Sequence, residues 1–293
     1  MLHIDSPFHG AVLNHRTGRQ DADSLTIEVT GTAPLGAPVE VNGVAATRIG
    51  DRFRASVRIS QRETDVTARC ATVTGETNHT IRVLWDRHSE KRYRFSIDDN
   101  IFFLRDLAQK RPASLFDCFY LDILRKLHRE YGAKFTVNVF FAAEDGFTLA
   151  EMPDTYRGEW ADNGDWLRLA FHAYAEFPDR PYQYTSAEKL ASDYDLVANE
   201  ILRFAGEDAY APATVIHWAM CGAYCLPALR ERGTNVLSGF FMRGGSKYDI
   251  NYLLDDARSE YLGRHHALMD FDSGMLFSHI PLVCNNTSVE DTV

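Results

Sequence analysis

The chain has 293 residues, 45% of them hydrophobic and 25% charged, with a formal net charge of −10 at pH 7. That composition is a globular protein's, and the missing concentration of Lys and Arg argues against a nucleic-acid backbone as partner, since such binding rests on clustered positive charge. No stretch approaches the ~20 apolar residues that span a bilayer, so no membrane span is expected.

Residues 1 to about 88 read as β structure. Leu25–Thr30 and Pro38–Asn42 alternate apolar and polar residues, and Asn42-Gly43 is the strongest short hairpin signal in the chain. Phe53–Ile59 and Thr80–Trp85 continue the period of two. Short strands punctuated by turns suggest a small all-β sandwich of immunoglobulin-like type over 1–88. The opening Ile4–Leu13 resembles the first strand of immunoglobulin-like modules appended to bacterial carbohydrate enzymes.

From about residue 90 strands alternate with helices. Tyr93–Ile97 is a strand candidate that ends in Asp98-Asp99. Leu115–Tyr131 is an amphipathic helix with Gly132 as its stop. Phe135–Phe141 is apolar on both faces, as buried parallel strands are. Leu167–Phe171 ends at His172, Ser186 caps a long helix that reaches Ala205, and Thr214–Trp218 is a fourth strand. Leu226–Arg232 is a short helix with Gly233 after it, Asn235–Phe241 a fifth strand, and Gly274–His279 the last. A final helix starting at Thr287 or Ser288 is expected to be short or absent.

A run of strand–helix units implies a parallel sheet, open or closed into a barrel, with reactive residues at the C-terminal strand ends. Asp98, Asp99, His172, His217 and His279 all fall at such ends. Adjacent carboxylates let one bind a divalent cation while the other takes a proton from water. His172 and Glu176, separated by Ala173-Tyr174-Ala175, supply further ligands from one turn, and His279 is placed to protonate a leaving group. Tyr174 and Trp218 are candidate substrate-binding residues because sugar C–H faces pack on aromatic rings. Each of these residues has an ordinary structural alternative, such as a helix cap for Asp98-Asp99 or a hydrogen-bonded core role for the histidines.

Phe95-Ser96-Ile97-Asp98-Asp99-Asn100 resembles the first motif of the polysaccharide deacetylases, written T-F-D-D-G. The resemblance implies that Asp98 is the base and Asp99 a metal ligand. His172 matches the first histidine of the second motif, H-[ST]-x-x-H, while Glu176 stands where the second histidine would be. Phe277-Ser278-His279 resembles the final Leu-x-His, which makes His279 the catalytic acid. Asn100 replaces the motif glycine, and His217 stands where the third motif normally supplies an arginine, so that it faces substrate or joins the metal.

The resemblance covers roughly residues 91–285. It implies an α/β fold, a distorted (β/α) barrel of the polysaccharide deacetylase type over 89–293. The implied activity is metal-dependent removal of an N-acetyl group from an amino sugar of a polysaccharide or its precursor, with surface-polysaccharide biosynthesis as a setting. The implied cofactor is a divalent metal, zinc first, with manganese, iron or cobalt as alternatives, and the implied partner is a carbohydrate. A catalytically degenerate carbohydrate-binding protein and a glycosidase with paired carboxylates stay open beside it.

The N-terminus lacks the basic start and apolar run of a secretory leader, so a cytoplasmic location is expected if Met1 is the natural start, and a secreted one if the chain was trimmed. Five scattered cysteines suit a reducing compartment, and Cys221-Gly222-Ala223-Tyr224-Cys225 reads as packing rather than a metal site.

Overall fold

Apolar–polar alternation builds the N-terminal strands. In the computed structural model, which describes residues 1–72, 75–91 and 93–292, every second side chain of Leu25–Thr32 and Arg52–Ile59 is buried, as strands with one wet face require. Of the expected 89–293 region, Arg92 and Val293 lie outside the described residues. The two strands pair antiparallel, Ile27 opposite Val57 and Val29 opposite Ala55. His3–Ser6, Thr47–Ile49 and Arg19–Gln20 complete a five-stranded sheet.

A second five-stranded sheet runs in the order Val12–Leu13, Gly75–Trp85, Glu63–Thr72, Val39–Val41, Val44–Ala45. Asn42 and Gly43, with φ of 46° and 82°, join the last two strands in the two-residue turn that their sequence demands. Gly31 is needed for a different reason. A Cβ there would lie 2.1 Å from the His3 carbonyl oxygen and 2.5 Å from the Phe53 ring, so any side chain would force the sheet apart.

Two units divide the chain: Met1–Lys91 with Ala267–Asp272, and Arg92–His266 with Ser273–Val293. The late segment belongs to the first unit through hydrogen bonding, Met269 N donating to the Gly10 carbonyl at 2.8 Å.

In the second unit Phe95–Asn100, Phe135–Phe140 and Leu167–Ala173 form a parallel sheet in chain order. Its middle strand is buried at every position, the physical reason it reads as an unbroken apolar run. Ala213–Thr214, Val236–Gly239 and Met275–His279 form a second parallel set. The two sets meet at the bridge between Leu169 and Tyr210. The arrangement is a half-barrel, and among the described residues Phe95–Asn100 does not pair with Met275–His279 to close a ring.

The helices follow their sequence signals with local adjustments. Ser186 caps Ala187–Phe204 by accepting from Lys189 N, and Leu190, Tyr194, Val197, Ile201 and Phe204 form its buried stripe. Phe119–Tyr131 ends at Gly132 as expected but starts later than Leu115. Ser114 and Asp117 there form a capping box around a 3-10 turn, Leu115–Asp117. The strand expected over Thr214–Trp218 leaves the sheet after Thr214. His217–Ala219 is instead a 3-10 turn in which Trp218 and Ala219 have φ of 63° and 46°. Among the described residues no helix is long and apolar enough to cross a membrane.

One pH dependence follows from the first unit. Burial, helped by the nearby His3 and His9 charges and opposed by Asp5, lowers the His79 pKa, and its Nδ1 accepts from Ile4 N at 3.1 Å. A lowered pKa means that the neutral ring's stabilisation is fully present above the unfolded value of about 6.5 and is lost as pH falls below it. The thermal midpoint is therefore expected to drop between about pH 7.5 and about pH 5, and to drop less in His79→Gln. Parallel curves for the two proteins would refute the assignment.

Candidate metal centre

Two bulges aim the side chains of the centre. Ile97 pairs with Val137 but Asn100 pairs with Val139, so the strand Phe95–Asn100 carries one extra residue at Asp98-Asp99. Asp99 takes a φ of 60°, a conformation that Asp tolerates better than most residues. The freed backbone is not left unpaired. Asn100 Nδ2 donates to the carbonyls of Ile97 at 2.9 Å and Asp98 at 2.7 Å, and its Oδ1 accepts from Tyr120 at 2.7 Å. Asn100 thus holds the bulge together. The second bulge lies in Leu167–Ala173, where Val139 pairs with Phe171 but Phe140 with Ala173, leaving His172 as the extra residue.

Three ligand atoms converge as a result. His172 Nε2 lies 3.0 Å from Asp99 Oδ1, His217 Nδ1 lies 3.3 Å from the same oxygen, and the two nitrogens are 3.1 Å apart. Asp99, His172 and His217 are close enough to bind one metal ion. Tetrahedral coordination at ~2.0 Å needs ligand atoms about 3.3 Å apart, so the group fits with almost no adjustment.

The outward nitrogens strengthen the fit. His172 Nδ1 donates to the Val215 carbonyl at 2.5 Å, and His217 Nε2 donates to the Glu176 carbonyl at 3.0 Å. In the neutral ring each bond fixes the tautomer that leaves the inner nitrogen bare, the arrangement that ligating histidines use, whereas the protonated ring donates from that nitrogen to Asp99. Both histidines are buried while Asp99 is 54% exposed. The three candidate ligands thus leave one side of the group open, unlike a closed four-ligand site.

The electrostatics point the same way. Hydrogen bonds from His172 and then His217 hold the Asp99 carboxyl far below the usual carboxylate range, against the opposing effect of burial. Burial pushes the His172 imidazole down. The Asp99 hydrogen bond and the charges of Asp98 and Asp99 outweigh it and leave the ring above an ordinary histidine. A fully buried ring drawn toward its charged form marks a place that favours positive charge.

Asp98 sits beside this group on a polar ladder. Ser96 and Asp98 share a strand face with Asn138, whose Nδ2 donates to Ser96 Oγ at 2.7 Å and to Asp98 Oδ1 at 2.6 Å. Thr214 Oγ1 reaches Asn138 Oδ1 at 3.2 Å and bonds the Phe171 carbonyl. Arg94 Nη1 lies 3.3 Å from Ser238 Oγ; burial lowers its pKa and the Asp98 charge opposes that shift.

The other sequence candidates are placed as follows. Glu176 is not one of the three converging residues and meets the centre through its backbone carbonyl. His279, at the end of Met275–His279, pairs with His266, Nδ1 to Nδ1 at 3.2 Å; burial and then His266 lower its pKa. Tyr174 and Trp218 are half exposed, Tyr174 stacked on Phe141 with ring centroids 5.3 Å apart. The Tyr174 backbone N–H donates to Tyr182 Oη at 2.9 Å, which in turn donates to the buried Asp193 at 3.0 Å. That chain fixes the segment that leaves His172. Asn100 and Asn138 as supports escaped the motif reading. Their signal was an amide inside or at the end of a buried strand, which demands a partner.

No family model and no curated protein matches the chain. Among solved structures it is similar to an engineered protein, at 23% identity and a TM-score of 0.20, over 29% of this chain and 20% of that one. A modular endo-β-1,4-mannanase from Cellulomonas fimi is similar at 24% identity and a TM-score of 0.19, over 29% of this chain and 18% of the mannanase. The chain thus spans about a fifth of the length of either structure.

Elemental analysis of purified protein supplemented with zinc is expected to give about one divalent ion per chain. Asp99→Ala, His172→Ala and His217→Ala should each weaken binding more than about tenfold, whereas Glu176→Gln should keep the ion. Retention in His217→Ala with loss in Glu176→Gln would reverse the ligand assignment.

Proposed function

We propose that the chain is a metal-dependent hydrolase that removes the N-acetyl group from an amino sugar of a glycan. The observation that carries this reading is the convergence of Asp99, His172 and His217 beside a second carboxylate, Asp98. Zinc suits the donor set of one carboxylate and two imidazoles. The chemistry such an ion supplies when bound is Lewis acidity toward a carbonyl and toward water.

The remaining work falls to side chains. Asn138 and Ser96 both donate to Asp98 Oδ1, which orients the carboxylate and leaves Oδ2 to accept a proton from water. His172 and His217 keep their inner nitrogens bare through the Val215 and Glu176 carbonyls. His279 is the proposed donor to the departing amine. Burial and His266 lower its pKa, so its acid form gives way to the neutral ring at a lower pH than in an ordinary histidine, and catalysis through it would weaken as pH rises. The distorted barrel and the immunoglobulin-like sandwich belong to the same proposal, as the resemblance of the motifs implies.

Acetate release from an N-acetylated chitooligosaccharide tests the reading. Asp98→Asn is expected to lower kcat about 10²–10⁴-fold while retaining the metal, and a chelator should abolish the wild-type rate. Full activity in metal-loaded Asp98→Asn would sink the proposal.

A further inference from the structure

Trp218 follows the metal-ligand candidate His217 and differs from the other tryptophans. It is 36% exposed, against 5% for Trp85, 0% for Trp160 and 4% for Trp166. Its φ of 63° is a conformation that a bulky residue adopts only under strain. An exposed aromatic ring in a strained turn beside a reactive centre needs a reason other than packing.

Its neighbours supply one. The Arg180 guanidinium lies over the indole, 5.0 Å from the ring centroid. Arg180 is itself held by a bidentate pair with Asp249, Nη1 to Oδ1 at 2.8 Å and Nη2 to Oδ2 at 2.7 Å. Asp249 ends a small hairpin, Met242–Gly244 paired with Lys247–Asp249. The chain leaving that hairpin returns to the same turn, Tyr252 N donating to the Ala219 carbonyl at 2.7 Å. Partly exposed ion pairs add little to stability. This one joins two loops through a planar fork, and its effect is to fix the orientation of the ring beneath it.

We propose that Arg180 and Asp249 hold the Trp218 indole as the stacking platform for a pyranose ring of the substrate. This rests on the carbohydrate reading of the site. Asp249 pairs with Arg180, so no unpaired cation backs the indole, which suits the neutral C–H face of a sugar. Arg180 backs one side of the indole and the exposed remainder is left for the ligand. Tyr174, 41% exposed and backed by Phe141, offers a second aromatic surface two residues beyond His172. Arg180 and Asp249 are positioning residues, acting through Trp218.

The test uses zinc-loaded full-length Asp98→Asn, which keeps the proposed ligands and leaves the probe uncut. Tryptophan emission is followed while chitotetraose is added. A saturable change is expected, and it should vanish in the added Trp218→Leu variant. Arg180→Lys keeps a charge pair but loses the planar fork, and should weaken binding about tenfold with an unchanged thermal midpoint. Asp249→Asn should do the same, which guards against misfolding of either variant. No saturable change, or unaltered affinity in both Arg180→Lys and Asp249→Asn, overturns the platform. Acetate release by wild type without binding that depends on Trp218 overturns the platform alone. Binding without acetate release supports the platform and overturns the deacetylase reading.

Discussion

One extra residue in the strand Phe95–Asn100 governs the site. In a regular strand Asp98 and Asp99 would point to opposite faces of the sheet, because side chains alternate with a period of two. The bulge lets both serve one place: Asp98 stays on the ladder of Ser96 and Asn138, while Asp99 turns through a positive φ to meet His172 and His217. Asn100 makes the distortion tolerable by bonding the carbonyls that the bulge frees. An unmet buried carbonyl would cost about 1–3 kcal/mol, a large share of the stability of an ordinary domain.

The same logic of paying polar groups their partners runs through the half-barrel. Asn138, fully buried, satisfies Ser96, Asp98 and Thr214 at once. The two histidines spend their outer nitrogens on backbone carbonyls from other segments. A network of this kind is rigid because each member is over-determined, and rigidity is what a preorganised ligand set needs. The orientations of the three converging side chains and of Asp98 are therefore linked through the backbone at Val215 and Glu176 and through Asn138.

The outer layer is organised differently. Arg180, Trp218 and the hairpin end Asp249 are partly exposed, and their geometry comes from one bidentate pair rather than from burial. Asp99 and His172 are placed by strand bulges and His217 by a turn, while the half-exposed aromatic residues sit on the segments that follow.

Much of this was legible in local patterns. Period-two runs located the N-terminal strands, the buried apolar run located Phe135–Phe140, and Ser186 and Gly132 marked helix ends. Asp98, Asp99 and His172 could be singled out because a polar residue at the end of an apolar strand is a local signal. The choice between Glu176 and His217 was not local. A spacing of four residues after His172 made Glu176 the natural partner on paper, yet His217, distant in the chain, is the residue whose ring nitrogen faces the other two. What decides it is the turn of left-handed residues after Thr214 and the Glu176 carbonyl that orients the His217 ring. Those depend on loops far apart in the chain packing against one another, and no short-range periodicity encodes such a meeting.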